Sequence, residues 1–134
     1  MQEALDARSH AYAPYSRFAV GAAVLAGSGS VYRGVNVENA SYGMTVCAER
    51  TAVFAAIAAG ERIIREVAIV TGAATISPPC GACRQVIVEF GREAIIRAAN
   101  LAGLEETWSI GDLLPHAFDR SSLELQTIDP EVGG

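Results

Sequence analysis

The chain has no lysine, a single tryptophan, few aromatic residues (7%) and only three cysteines in 134 residues. The lack of lysine reads as a matter of composition with no functional message, but the shortage of positive charge carries one. Ten scattered arginines face fifteen acidic residues, giving a net charge of -5 and a pI near 4.9. A surface that tracks nucleic-acid phosphates needs a basic face, so a nucleic-acid partner is disfavoured. No segment approaches the roughly 20 apolar residues that span a bilayer. The opening "MQEALDARSH" also lacks the basic-then-apolar order of a secretory signal, so no membrane association and a cytoplasmic location are expected. In that compartment an odd count of cysteines reads as thiols or metal ligands rather than disulfide staples.

What is present is apolar: 51% of the residues are hydrophobic, enough to exclude disorder. With no repeat or linker-like stretch, residues 1–134 read as one domain around one core. "QEALDARSHA" suits a short amphipathic helix with Ala4, Leu5 and Ala11 able to face that core. "FAVGAAVLAGSGSVYRGVNVE" reads as two strands reversing at "GSGS". Between Cys47 and Ala59, Arg50, Val53, Phe54, Ile57 and Ala58 recur at helical period, and Gly60 supplies a stop. "EVAIVTGA" reads as a buried central strand, and "ISPPCGACRQVIVEFG" as a loop, two prolines and a helix ending at Gly91. "AIIRAANLAG" and "ETWSI" suit two further strands, although residues 94–102 are alanine-rich enough to be helical. "GDLLPHAF" reads as a short helix interrupted at Pro115. The order αββαβαββ implies helices on both faces of a mixed sheet.

Chemistry concentrates at two helix starts. In "PCGAC", Cys80 and Cys83 stand at i and i+3, which share one helical face. In "TVCAERTAVF", Cys47 opens the other helix, with Glu49 and Arg50 beside it. Helix N-termini favour anions and so favour thiolates. If the two starts are neighbours, three sulfurs converge on one metal and leave a fourth position open, the mark of a catalytic zinc site. Zinc lowers the pKa of a bound water to about 7, and Glu49 is the candidate general acid/base. Arg50 is placed to offset the negative charge of three thiolates. Each residue alone has a plainer meaning: a redox pair for C-x-x-C, a core residue for Cys47, a dipole-complementing charge for Glu49, a solvated side chain for Arg50. Their coincidence in C-x-E followed by P-C-x-x-C is what favours the metal centre.

That coincidence resembles the signature of the zinc deaminases, in the form where cysteine replaces the first histidine. "PYSRFAVGAAV", "GVNVENASYGMTVCAERTAVF", "PPCGACRQVIVEFG" and "LLPHAF" occur in the order found in cytidine deaminases of the small homotetrameric type. The likeness implies a three-layer α/β/α fold with a five-stranded mixed sheet and one zinc ion per subunit. It also implies hydrolytic deamination of cytidine and deoxycytidine in pyrimidine salvage, with Glu49 carrying the proton to N3 and then to the departing amine. By the same likeness Asn36 and Glu38 hold the ribose hydroxyls, and Phe18 packs on the pyrimidine ring. The backbones of Ala48 and Ser77 meet the polar edge of the base, and Phe118 reaches a neighbouring subunit's site. By physics alone Phe18 and Phe118 would be core residues, and Asn36 and Glu38 turn residues. The double proline of "ISPPCG" departs from the single proline usual in the family but leaves the ligand spacing intact. Rivals are a blasticidin-S type deaminase, a polynucleotide deaminase, and a non-catalytic zinc module with a fourth ligand. For that last role His10 and His116 have no ligand-like neighbours and read as surface or structural residues.

Overall fold

A computed structural model of the chain describes residues 1–124, so the last ten residues of the expected 1–134 domain lie outside the described part. Helix α1 (Gln2–Arg8) leads into a hairpin of β1 (Val20–Ala26) and β2 (Val31–Val35). Then follow α2 (Ala48–Ala58), β3 (Ile64–Thr71), α3 (Gly81–Phe90), β4 (Ile95–Asn100), β5 (Glu105–Ser109), α4 (Ile110–Leu113) and α5 (Arg120–Glu124). The sheet runs β2-β1-β3-β4-β5, antiparallel except for the parallel β3–β4 pair. The five-stranded mixed sheet and the order of the main elements are those expected from the sequence.

Strand residues alternate between the two faces. On one face Ala23, Ala68 and Val70 meet Ala4 of α1. On the other, Ala22, Val24, Val67, Ile69 and Ile96 form the larger core with Ala48, Ala52, Val53 and Ala56 of α2 and Ile87 of α3. Two glycines set how closely the layers approach. A Cβ on Gly21 would lie 2.0 Å from the Ala4 carbonyl oxygen, and one on Gly34 would lie 2.3 Å from the Ala52 nitrogen. Neither neighbour can yield, because both are backbone atoms.

This closeness corrects two expected stripes. Phe54 is 49% exposed while Ala52 and Ala56 are buried, because only small side chains fit between α2 and the strand carrying Gly34. Leu5 is likewise 42% exposed, and Ala7 joins Ala4 in the core instead. Helix α1 stops at Arg8, so Ala11 lies past its end. The helical alternative for residues 94–102 also fails: Ile96 and Ala98 face the core while Arg97 faces outward, the alternation of a strand.

Candidate metal centre and cleft

Both α2 and α3 begin with a cysteine. Cys47 is the N-cap of α2 and Cys80 the N-cap of α3, each with extended backbone, and Cys83 lies in the first turn of α3. Neither N-cap side chain makes a capping hydrogen bond, so backbone N–H groups and both dipoles are directed at one small volume. Helix α2 is seated by Thr51, whose one hydroxyl proton is shared by the carbonyls of Val35 (2.7 Å) and Ala48 (2.9 Å) and whose oxygen accepts from the Val35 N–H. The loop before α3 is seated by Asn100, whose amide donates to the carbonyls of Ala73 and Ala74 and accepts from the N–H groups of Ala102 and Leu104. Sequence reasoning singled out neither Thr51 nor Asn100. Their signal is a polar residue in an otherwise apolar helix or strand.

The Sγ atoms of Cys47 and Cys80 are 3.9 Å apart, those of Cys80 and Cys83 are 3.4 Å apart, and all three lie within 4.8 Å of one another. A tetrahedral zinc with Zn–S bonds of about 2.3 Å spaces its sulfurs about 3.8 Å apart, so these three donors fit the ion. Nη2 of Arg50 donates to Cys47 Sγ at 3.4 Å. The Cys47 thiol is held down to about 5, first by a hydrogen bond with Cys83 and then by Arg50, against the cost of burial. Cys83 moves the other way, because it lies against the Cys47 thiolate and is buried. Cys83 and the Arg50 guanidinium thus both favour the thiolate form of Cys47.

Glu49 is 6% exposed, and burial pushes its carboxyl above the ordinary range, with the negative charge of Cys47 acting in the same direction. It lines a cleft of about 210 Å³ together with Cys47, Cys80, Ala48 and Ser77. Phe18 and Asn36 form another wall, and Val20, Thr45, Ile69, Thr71 and Pro78, which sequence reasoning did not single out, complete it. Asn36 is buried, donating to the Phe18 carbonyl at 2.7 Å and accepting from the Val20 N–H at 2.9 Å. An amide has two donors and two acceptor sites, so one of each remains for a ligand. Phe18 follows Arg17, whose φ of 59° is unusual for a side-chain-bearing residue.

Glu38 is not part of that cleft wall. It lines an adjoining cavity of about 340 Å³ with Tyr15, Ser16 and Tyr42, and Thr45 borders both spaces. Its carboxylate accepts from the Ser16 hydroxyl and from the N–H groups of Ser16 and Tyr15, which hold it below the ordinary carboxylate range. Phe118 is also outside the chain's own cleft, 61% exposed, with its carbonyl accepting from Gln85. Phe18 is 40% exposed, so neither phenylalanine is the core residue that apolarity alone would make it. His10 and His116 are exposed, as expected, and the one metal-suited cluster among the described residues is the cysteine trio.

Comparison with known proteins agrees with this centre. Residues 1–99 match the family model described as cytidine and deoxycytidylate deaminase zinc-binding region. The chain is 50% identical over 119 residues to a cytidine deaminase of Halalkalibacterium halodurans, covering 88% of this chain and 90% of that one. It is 47% identical over 122 residues to one from Sporosarcina psychrophila, covering 90% of each. Among solved structures, cytidine deaminase from Burkholderia pseudomallei superposes with a TM-score of 0.84 at 49% identity, over 87% of this chain and 94% of that one. The matched region contains all three sulfurs and the glutamate beside them, and the cluster they form is suited to zinc. The chain therefore belongs to the zinc-binding cytidine and deoxycytidylate deaminase family.

Proposed function

We propose that the cleft carries out hydrolytic deamination of cytidine and deoxycytidine, releasing ammonia and uridine or deoxyuridine. The observation that carries this reading is Glu49, a buried carboxyl lining the same small cleft as two of the three clustered cysteines. Cys47, Cys80 and Cys83 would hold the zinc, which would supply a Lewis acid able to bring the pKa of water to about 7.

Among the described residues Glu49 is the one carboxyl lining the cleft, so proton traffic falls to it. It takes a proton from the attacking water, gives it to N3 of the base, and later serves the departing amine. A carboxyl shifted upward by burial suits this two-way role, because it holds a proton more readily than an exposed carboxyl does. The volume supports a division of the substrate. About 210 Å³ suits one flat ring between Phe18, Val20, Ile69 and Pro78. The base edge then meets the backbones of Ala48 and Ser77, and the ribose extends past Thr45 toward Glu38, with Asn36 offering its spare donor and acceptor. Phe118, exposed and outside its own cleft, is available to a neighbouring subunit, as the homotetramer implied by the resemblance requires. A role in pyrimidine salvage and a cytoplasmic location go with this reading. No helix among the described residues is long and apolar enough to cross a membrane.

The test is the ultraviolet change when cytidine, deoxycytidine or blasticidin S is offered to purified, metal-assayed protein. The first two should react and the third should not. Glu49→Gln should keep its zinc and lose about 10²- to 10⁴-fold in turnover. Undiminished turnover in that variant would end the assignment.

A further inference from the structure

Arg84 follows the ligand Cys83 on α3, and its guanidinium reaches two backbone carbonyls that have no helical partner. Nε donates to the Pro79 carbonyl at 2.7 Å, and Nη1 donates to the Leu113 carbonyl at 2.9 Å. Pro79 immediately precedes the N-cap Cys80 and is fully buried. Its carbonyl lies outside the helical ladder, so without Arg84 an acceptor would be left in a poorly hydrated place. Leu113 ends α4, where helix carbonyls lack intrahelical donors and the dipole favours a cation. The next residue, Gln85, donates to the Phe118 carbonyl.

The first turn of α3, with two of the three sulfurs, is therefore tied through adjacent side chains to both ends of residues 113–118. We infer that Arg84 is a positioning residue with two coupled duties: it fixes Cys80 through the Pro79 carbonyl, and it fixes the segment that presents Phe118. The second duty rests on the reading that Phe118 completes a neighbouring subunit's site. Arg84 itself does not line the cleft. Its effect on metal and substrate therefore passes through Pro79 and Leu113. In an assembly where Phe118 crosses to a neighbour, one guanidinium would link the metal grip of one subunit to the substrate grip of the next.

The experiment uses zinc-loaded full-length protein and two readouts: zinc release to a chromophoric chelator, and KM and kcat for cytidine. Arg84→Met should release zinc about tenfold faster, the scale of one charge-assisted hydrogen bond lost, and should also raise KM. Arg84→Lys should recover part of both effects, and Phe118→Ala should raise KM while zinc release stays at the parent rate. In the double variant, the further effect of Phe118→Ala on KM should shrink, because Phe118 is already misplaced. Zinc release at the parent rate in Arg84→Met, or KM effects that simply multiply, would overturn the inference. If Arg84→Met does not fold, Arg84→Gln takes its place with the same two readouts: zinc release and KM should both rise, and either one at the parent value counts against the inference. A parent protein inactive on cytidine would defeat the deaminase reading instead, and zinc release would still decide the hold of Arg84 on Pro79.

Discussion

Arg50 sits one turn beyond Cys47 on α2 and donates to its sulfur at 3.4 Å, while its own Nε is buried with no hydrogen-bond partner among the described residues. A guanidinium is seldom placed this way for stability alone, since one donor is left unsatisfied. The contact favours the thiolate. Arg50→Ala should raise the Cys47 pKa from about 5, where Cys83 first and Arg50 next now hold it, so protons compete better with zinc. Zinc should then be lost at a higher pH on acidification, and affinity at neutral pH should fall about tenfold or more. Metal retention measured across pH checks this, and retention identical to the parent would refute it.

Glu49 gives a second pH dependence. Its folded-state pKa lies above its ordinary value, chiefly because it is buried, so the folded molecule holds this proton more tightly than the unfolded chain. Stability from that proton is present below the ordinary carboxylate range and is lost as pH rises through the elevated pKa. Glu49→Gln removes the ionising group. The metal-free variant should therefore melt above the metal-free parent at neutral pH, and the gap should close toward pH 4. A constant gap across that range would show that burial does not control this carboxyl.

Gly34 tests the packing that carries Cys47. An alanine there would put a methyl 2.3 Å from the Ala52 nitrogen and 2.4 Å from the Ala48 oxygen. Gly34→Ala should cost about 3 kcal/mol, near the upper end of overpacking effects. Because Ala48 is displaced directly, zinc affinity should fall as well. Denaturant unfolding and metal competition read the two effects separately.

Asn100 tests the loop. Its buried amide serves two carbonyls and two N–H groups, joining the segment before Ser77 to the turn after β4. Asn100→Ala should cost about 2–4 kcal/mol, because several backbone groups lose their partner at once. Thermal unfolding of the zinc-loaded variant measures this.

The fold was legible where the local signals agree: the hairpin around residues 27–30, the stop at Gly60 with its φ of 101°, and the strand β3 buried at the sheet centre. The sulfur trio was legible too, because spacing alone places Cys80 and Cys83 on one face and Cys47 at a second helix start. The burial stripes of α1 and α2 were not. In alanine-rich helices the buried side depends on how closely the next layer approaches, and Gly21 and Gly34 set that distance from elsewhere in the chain. The pairings of Thr51 with Val35 and of Arg84 with Leu113 were equally out of reach, since a polar side chain gives no hint of which distant carbonyl it will find.

The passage of β3 through the centre of the sheet has a consequence for assembly. Only Cys80 and Cys83 are neighbours along the polymer. The third sulfur arrives from 33 positions earlier, once β3 has crossed the middle of the sheet and brought both helix starts to the same end. Along the extended chain only Cys80 and Cys83 lie close enough to share an ion, so the ready-made three-sulfur grip belongs to the closed layers. An ion gripped by all three sulfurs would act as a latch, pinning two helix starts that are far apart along the chain to one end of the sheet.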